Sequence, residues 1–244
     1  MWKAYKEMLK VEFRLSIRDM NMVIFAIIMP VVVMFLIGSI FGGSDSGSQS
    51  IAQSFSAVST IGICAGGVMG LPIVVADYRQ KKVLKRLQVT PISPVLILVV
   101  QVTIYAIYAI ASLILVYGIA AIFFGYQMQG SLIMFLVSYL LTMASMFSIG
   151  MMVGGLAPNM KMASVIASLL YFPMLIFSGA TLPYEVMPET LQKVADVLPL
   201  TQGIKMLEAS SMGLTMNNLF APIMAMIVIM IICMVLSIKL FKWE

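Results

Sequence analysis

The sequence contains no histidine, and only 10% of its 244 residues are Asp, Glu, Lys or Arg. Soluble domains carry about 25% charged residues. With 61% hydrophobic residues, the chain reads as a membrane protein rather than a globular domain with an anchor. Its long apolar stretches hold no Asp, Glu, Lys or Arg at all. Proton-driven carriers and pumps place such groups in the membrane as relays, so proton coupling is disfavoured. Sodium sites built from backbone carbonyls and hydroxyls stay open. The charged rings and filter loops of ion-selective pores are missing too. No carboxylate pair, metal-ligand cluster or Ser/His/Asp set is available in these stretches, so the chain is not expected to be an enzyme. There is no G-x-x-x-x-G-K-[ST] loop for nucleotide phosphates. No polar stretch exceeds about 40 residues, below the ~50 of a small domain. Two cysteines, Cys64 and Cys233, both in apolar segments, exclude a disulfide scaffold or zinc site. A cleavable leader is not expected, because the first apolar run starts near residue 22 and is too long for one.

What is present is a series of six apolar segments at about 22–42, 55–76, 95–118, 131–156, 162–179 and 219–238. Each is close to the ~20 residues that cross a ~30 Å hydrocarbon core. The expected fold is therefore an all-α polytopic membrane protein, one transmembrane domain over 1–244. It has six transmembrane helices, an N-terminal interfacial helix (1–20), a basic loop (77–94) and an exterior helical hairpin (180–218) before the last span. Thirteen of the fifteen Lys and Arg residues fall on one side of this layout; Lys193 and Lys205 are the exceptions. The positive-inside rule then puts both termini in the cytoplasm. The net charge of +5 sits beside spans, where it faces anionic lipid, and no nucleic-acid partner is expected.

Residues 1–20 repeat Trp2, Tyr5, Leu9, Phe13 and Ile17 at helical spacing with Lys and Arg between them. That pattern suits a helix lying in the membrane interface, or one packed in a protein groove. Residues 43–54 read as a short flexible exterior connector. Gly62, Gly66 and Gly70 form overlapping G-x-x-x-G repeats that let another backbone approach, within the chain or in a second copy. Pro30, Pro72 and Pro173 are expected to kink their helices. In the 77–94 loop, Val83, Leu84 and Leu87 share one side of a short helix that Pro91 ends. Ser93 and Pro94 then start the next span. Residues 188–197 and 200–211 read as two outer helices too short to span and too apolar for bulk water. They either gate an exit or seal the bundle. The 24 methionines, with Met224, Met226, Met230 and Met234 in the last span, suit varied apolar ligands or fill core and lipid-facing positions.

Two stretches carry a family resemblance. Residues 84–93, Leu-Lys-Arg-Leu-Gln-Val-Thr-Pro-Ile-Ser, are similar to an L-x-R-L-x-x-T-P-x-S loop. Residues 177–188, Phe-Ser-Gly-Ala-Thr-Leu-Pro-Tyr-Glu-Val-Met-Pro, followed by Leu198-Pro-Leu-Thr201, are similar to F-S-G-x-x-x-P-x-x-x-M-P with L-P-L-T. In these motifs the chain resembles the membrane subunit of type-2 ABC exporters, the permeases of drug, lipid and polymer efflux. Many relatives have Gly-Thr where Lys82-Val83 stands.

The resemblance implies a coupling helix at about 78–90, with Lys81, Lys82, Leu84, Lys85, Arg86, Leu87, Thr90 and Pro91 docking on a separate cytoplasmic ATPase that holds ATP and Mg. It implies a second permease chain, identical or paralogous, and a pathway lined largely by the second and fifth spans. Gly62, Gly66, Gly70 and Pro173 would serve pathway or packing there. The exterior gate would comprise Leu182, Pro183, Met187, Pro188, Leu198, Pro199 and Leu200. A charge-free interior favours amphiphiles, drugs, lipids or hydrophobic peptides, with Ser56, Ser59, Thr60, Ser168 and Tyr171 as candidate polar contacts. An ion-coupled secondary carrier and a non-transporting scaffold are the alternatives from other classes.

Overall fold

The computed structural model describes residues 2–41, 47–83, 94–181, 184, 187–214 and 219–240. Six helices are long and apolar enough to cross a membrane: Ile24–Phe41, Gln49–Gln80, Val95–Phe124, Leu132–Leu156, Met160–Phe177 and Phe220–Lys239. We call them the first to sixth spans. The helix Trp2–Arg18 precedes them, and the outer helices Glu189–Ala195 and Pro199–Met212 lie between the fifth and sixth. No strand occurs among the described residues.

The second span is the centre of the bundle. In its most apolar stretch 83% of residues are buried inside the chain, against 17% for the sixth. It packs on the first, third, fourth and fifth spans and, through its start, on helix Pro199–Met212. The fourth span joins this centre to the sixth. Small residues make such proximity possible where lipid tails remove any hydrophobic gain from helix association. A Cβ added to Gly150 would lie 1.8 Å from the Gly67 carbonyl oxygen, and one on Gly154 would meet Val75 and the Pro72 backbone. The fourth span thus crosses the second backbone against backbone. Gly62, Gly66 and Gly70 face the other way, toward Ser112, Tyr105 and Met22, so these glycines are used within the chain.

π-Helical turns precede two of the three prolines expected to kink their helices. Ile24–Ile28 closes with the Met29 N–H on the Ile24 carbonyl, and Ala65–Gly70 with the Leu71 N–H on the Gly66 carbonyl. Pro30 and Pro72 follow immediately. A proline has no N–H and crowds the carbonyl four residues back, and a widened turn relieves that crowding. Pro173 sits inside the fifth-span helix without such a turn.

Several boundaries differ from the sequence reading. Residues 47–54, read as a flexible connector, form the first turns of the helix Gly47–Cys64. Their polar composition hides a face on which Ile51, Ala52 and Phe55 are buried. The third span continues through Phe124 instead of ending near 118. It stops at Gly125, whose φ of 65° and the bond from the Tyr126 N–H to the Ala120 carbonyl make a glycine-dependent helix end. The second span likewise runs on through Gln80, so residues 78–80 belong to it and not to a separate loop helix.

Gly150→Ala is expected to destabilise the folded chain by about 3 kcal/mol, the upper range for overpacking, because its nearest obstacle is backbone. Gly118 has nothing within 4 Å of an added Cβ, so Gly118→Ala should be neutral or raise stability by under about 1 kcal/mol. Equilibrium unfolding of both variants in detergent checks the contrast.

Candidate functional site

The basic end of the bundle is organised by the last turn of the second span. The Arg79 guanidinium donates to the carbonyls of Gly155 (2.5 Å) and Ala157, at the end of the fourth span. The final carbonyls of a helix have no partners within it and carry the negative end of its dipole, so a cation there is a natural cap. The Gln80 side-chain oxygen accepts the Met160 N–H at 3.0 Å. Asn159 caps the same fifth-span start through the Met162 N–H at 2.9 Å. Two consecutive residues of the second span therefore hold both helix ends that flank the turn between the fourth and fifth spans.

A second network ties in the N-terminal helix. Tyr78 donates its hydroxyl to the Glu12 carboxylate at 2.5 Å, and the buried Gln101 amide donates to Glu12 (2.9 Å) and to the Tyr78 oxygen (2.8 Å). Tyr5 donates to Thr103 at 2.9 Å, and Phe13 stacks on Tyr108 at 6.1 Å. Tyr5, Leu9 and Phe13 therefore lie against the bundle, with Met8 between them. Trp2 and Ile17, from the same stripe, are 69% and 49% exposed. The middle of the stripe packs on protein; only its ends face outward.

Of the expected coupling residues, Lys81 pairs with Asp77 at 2.8 Å with its side chain 67% exposed, an arrangement that contributes little. Lys82 has a φ of 56°, the one positive value among described non-glycine residues. It occupies the left-handed position just past the helix end, where glycine is the easy residue. Val83 packs on the cluster of Val75, Ile97 and Leu98. Leu84, Lys85, Arg86, Leu87, Thr90 and Pro91 lie outside the described residues.

At the opposite, hairpin end, Met187 and Leu200 are buried, Leu198 and Pro199 are half-buried and Pro188 is exposed; Leu182 and Pro183 lie outside the described residues. Helix Pro199–Met212 is set into the bundle. Ser211 bonds Ser56 at 2.8 Å and Ser210 bonds Ser138 at 3.0 Å. Gly203 lies where any side chain would strike Thr142. Helix Glu189–Ala195 is more exposed, as Leu191 and Val194 show. The two are braced by Asp196, whose carboxylate takes Lys205 at 2.7 Å and the Tyr184 hydroxyl at 2.9 Å. The Lys205 ammonium holds that carboxyl below its usual range, while burial and then Asp196 push the Tyr184 phenol up.

Ser56, Ser59 and Thr60 are enclosed, the last two bonded to their own helix. Tyr171 is enclosed with an unpartnered hydroxyl. Met226 is buried while Met224 and Met234 are exposed. Among the described residues no group of three or more His, Cys, Asp or Glu could hold a metal. Sequence reading missed Glu12, Gln101 and the caps made by Arg79 and Gln80. The lone amide in the third apolar stretch was the visible signal for Gln101.

The sequence profile of the family described as ABC-2 type transporter matches residues 3–212, which take in the first five spans and both outer helices. The chain belongs to that family. This ABC-2 chain is similar to Nodulation protein J of Rhizobium leguminosarum bv. viciae, 28% identical over 125 residues, 51% of this chain and 48% of the relative. Nodulation protein J of Neorhizobium galegae is 27% identical over the same shares. Inner membrane transport permease YhhJ of Escherichia coli (strain K12) is 24% identical over 136 residues, 54% of this chain and 35% of the relative. The chain spans about half, or less, of the length of these curated relatives.

Two outcomes follow from the braces at either end. Arg79→Gln should speed amide exchange at 155–162 selectively, by the loss of about 1–3 kcal/mol of charge-assisted bonding, with the first span unchanged. The Asp196 brace is complete at neutral pH and lost as pH falls through its lowered pKa, below about 4. Protection factors over 187–205 should drop there by the equivalent of under about 1 kcal/mol, and Asp196→Asn should remove that pH dependence.

Proposed function

We infer that this ABC-2 chain is the permease subunit of an ATP-driven exporter moving an amphiphilic or hydrophobic compound, such as a lipid, drug or hydrophobic peptide, outward across the cytoplasmic membrane. ATP and Mg belong to a separate cytoplasmic ATPase that docks on the basic segment after the second span, with Leu84, Arg86, Leu87 and Thr90 as contacts. The Lys and Arg asymmetry supports cytoplasmic termini and an external hairpin. The absence of charge from the spans supports an external energy source. The similarity to YhhJ, an inner membrane transport permease, agrees with transport.

The observation that carries this reading is the pair of caps made by Arg79 and Gln80. They adjoin the basic segment, so a push on that segment by a partner reaches the fourth and fifth spans through hydrogen bonds rather than through flexible chain. The Glu12 network would draw the N-terminal helix along with it. A second permease chain, identical or related, completes the pathway. The fifth span leaves Met162, Val165, Leu169, Phe172 and Ile176 exposed at alternating three- and four-residue spacing, which suits knobs-into-holes contact. We assign that face to the second copy.

The test is Leu87→Glu in the complex with its ATPase, reconstituted in vesicles. Permease-stimulated ATP turnover should fall to the basal rate of the ATPase while insertion and thermal stability of the variant stay at wild-type values. Stimulation that survives in a stable variant removes the docking assignment.

A further inference from the structure

We propose that a cleft at the hairpin end binds the uncharged, hydroxyl-rich headgroup of a membrane amphiphile, with the amphiphile's tail lying along the lipid-exposed face of the first span. Its role rests on the exporter reading; its geometry does not.

The cleft encloses about 330 Å³, the low end of the range for small-molecule sites, which admits a headgroup and not a whole lipid. Ile37 and Phe41 line it from the first span, Gln53 and Ser54 from the second, and Thr201 and Lys205 from helix Pro199–Met212. The wall thus combines apolar side chains with hydroxyl and amide groups and one lysine. The Thr201 hydroxyl is buried and has no hydrogen-bond partner. An unpaired buried hydroxyl is costly, and a ligand hydroxyl would satisfy it.

Charge selects against the alternatives. The Lys205 ammonium is already committed to Asp196 at 2.7 Å and lies 5.4 Å from the centre of the Tyr184 ring. A phosphate head would therefore meet a cation that is already paired, whereas a sugar-like head meets donors and acceptors without a charge to desolvate. The tail is placed by the first span itself. Leu36 and Ile40, each next to a cleft-lining residue, are 55% and 70% exposed, so the mouth of the cleft adjoins lipid-facing surface.

The experiment offers the purified full chain, in mixed micelles, equal amounts of a monoglycosyl diacylglycerol, phosphatidylcholine and phosphatidylglycerol with the same acyl chains. Retained lipid is counted by native mass spectrometry. The wild type should keep the glycolipid in preference to both phospholipids. Gln53→Leu and Thr201→Val should each lower its retention roughly three- to tenfold, the equivalent of one hydrogen bond, without changing the phospholipids. A measurement without mutation accompanies it: a soluble alkyl glucoside should slow amide exchange over 50–57 and 199–205 of the wild type. Equal retention of the three lipids, preference for the anionic one, or absence of that protection overturns the proposal. No ATPase takes part, so failure here leaves the Leu87→Glu result standing, and failure there leaves this one.

Discussion

The contact on which the bundle depends is the one between the backbones of the second and fourth spans, where the Gly67 carbonyl lies against Gly150 and Pro72 against Gly154. In lipid, apolar side chains gain nothing by leaving their surroundings, so helices associate through close van der Waals contact and interhelical hydrogen bonds. A crossing that admits no side chain maximises the first of these. The π-helical turn at Ala65–Gly70 is part of the same arrangement. It widens the helix just ahead of Pro72, so that the proline and the exposed carbonyl both face the fourth span. The second span is consequently enclosed, and the other spans are arranged around it.

From that crossing to Gln80 the second span is one continuous helix, a rigid element whose far end is fixed by where it meets the fourth. That is why Arg79 and Gln80 arrive at the turn between the fourth and fifth spans in position to cap both. The Glu12, Tyr78 and Gln101 network draws the N-terminal helix and the third span to the same place. A carboxylate in that position is tolerated because a hydroxyl and an amide satisfy it.

The other end of the second span is held differently. Ser56 and Ser211, with Ser138 and Ser210 beside them, bond helix Pro199–Met212 to two spans through hydroxyls alone. At 14 residues this helix is too short to cross the bilayer. It buries its small and apolar face in the bundle and turns Lys205 and its neighbours toward the cleft. The two ends thus differ in character. One is cross-braced by the Arg79 and Gln80 caps, the other by neutral hydroxyls and the Asp196–Lys205 ion pair.

The amino-acid sequence by itself determined the class of the molecule, because whether a stretch of about 20 residues suits lipid depends only on the composition of that stretch. The six spans, the two short outer helices and the amphipathic N-terminal helix follow from local apolar content and spacing. The motif at 177–188 pointed to the hairpin for the same local reason. Tertiary structure alone decided where helices ended and what their polar residues did. Gly47 to Ser54 looked like linker because most of these residues are polar or small, yet Ile51 and Ala52 among them are buried against neighbours. Arg79 read as one more cytoplasmic cation until the fourth span placed two carbonyls before it. Glu12 and Gln101, 89 residues apart, meet only because the N-terminal helix folds onto the third span. Hydrophobic periodicity reports what a segment buries; which partner a polar group finds is a property of the packed bundle.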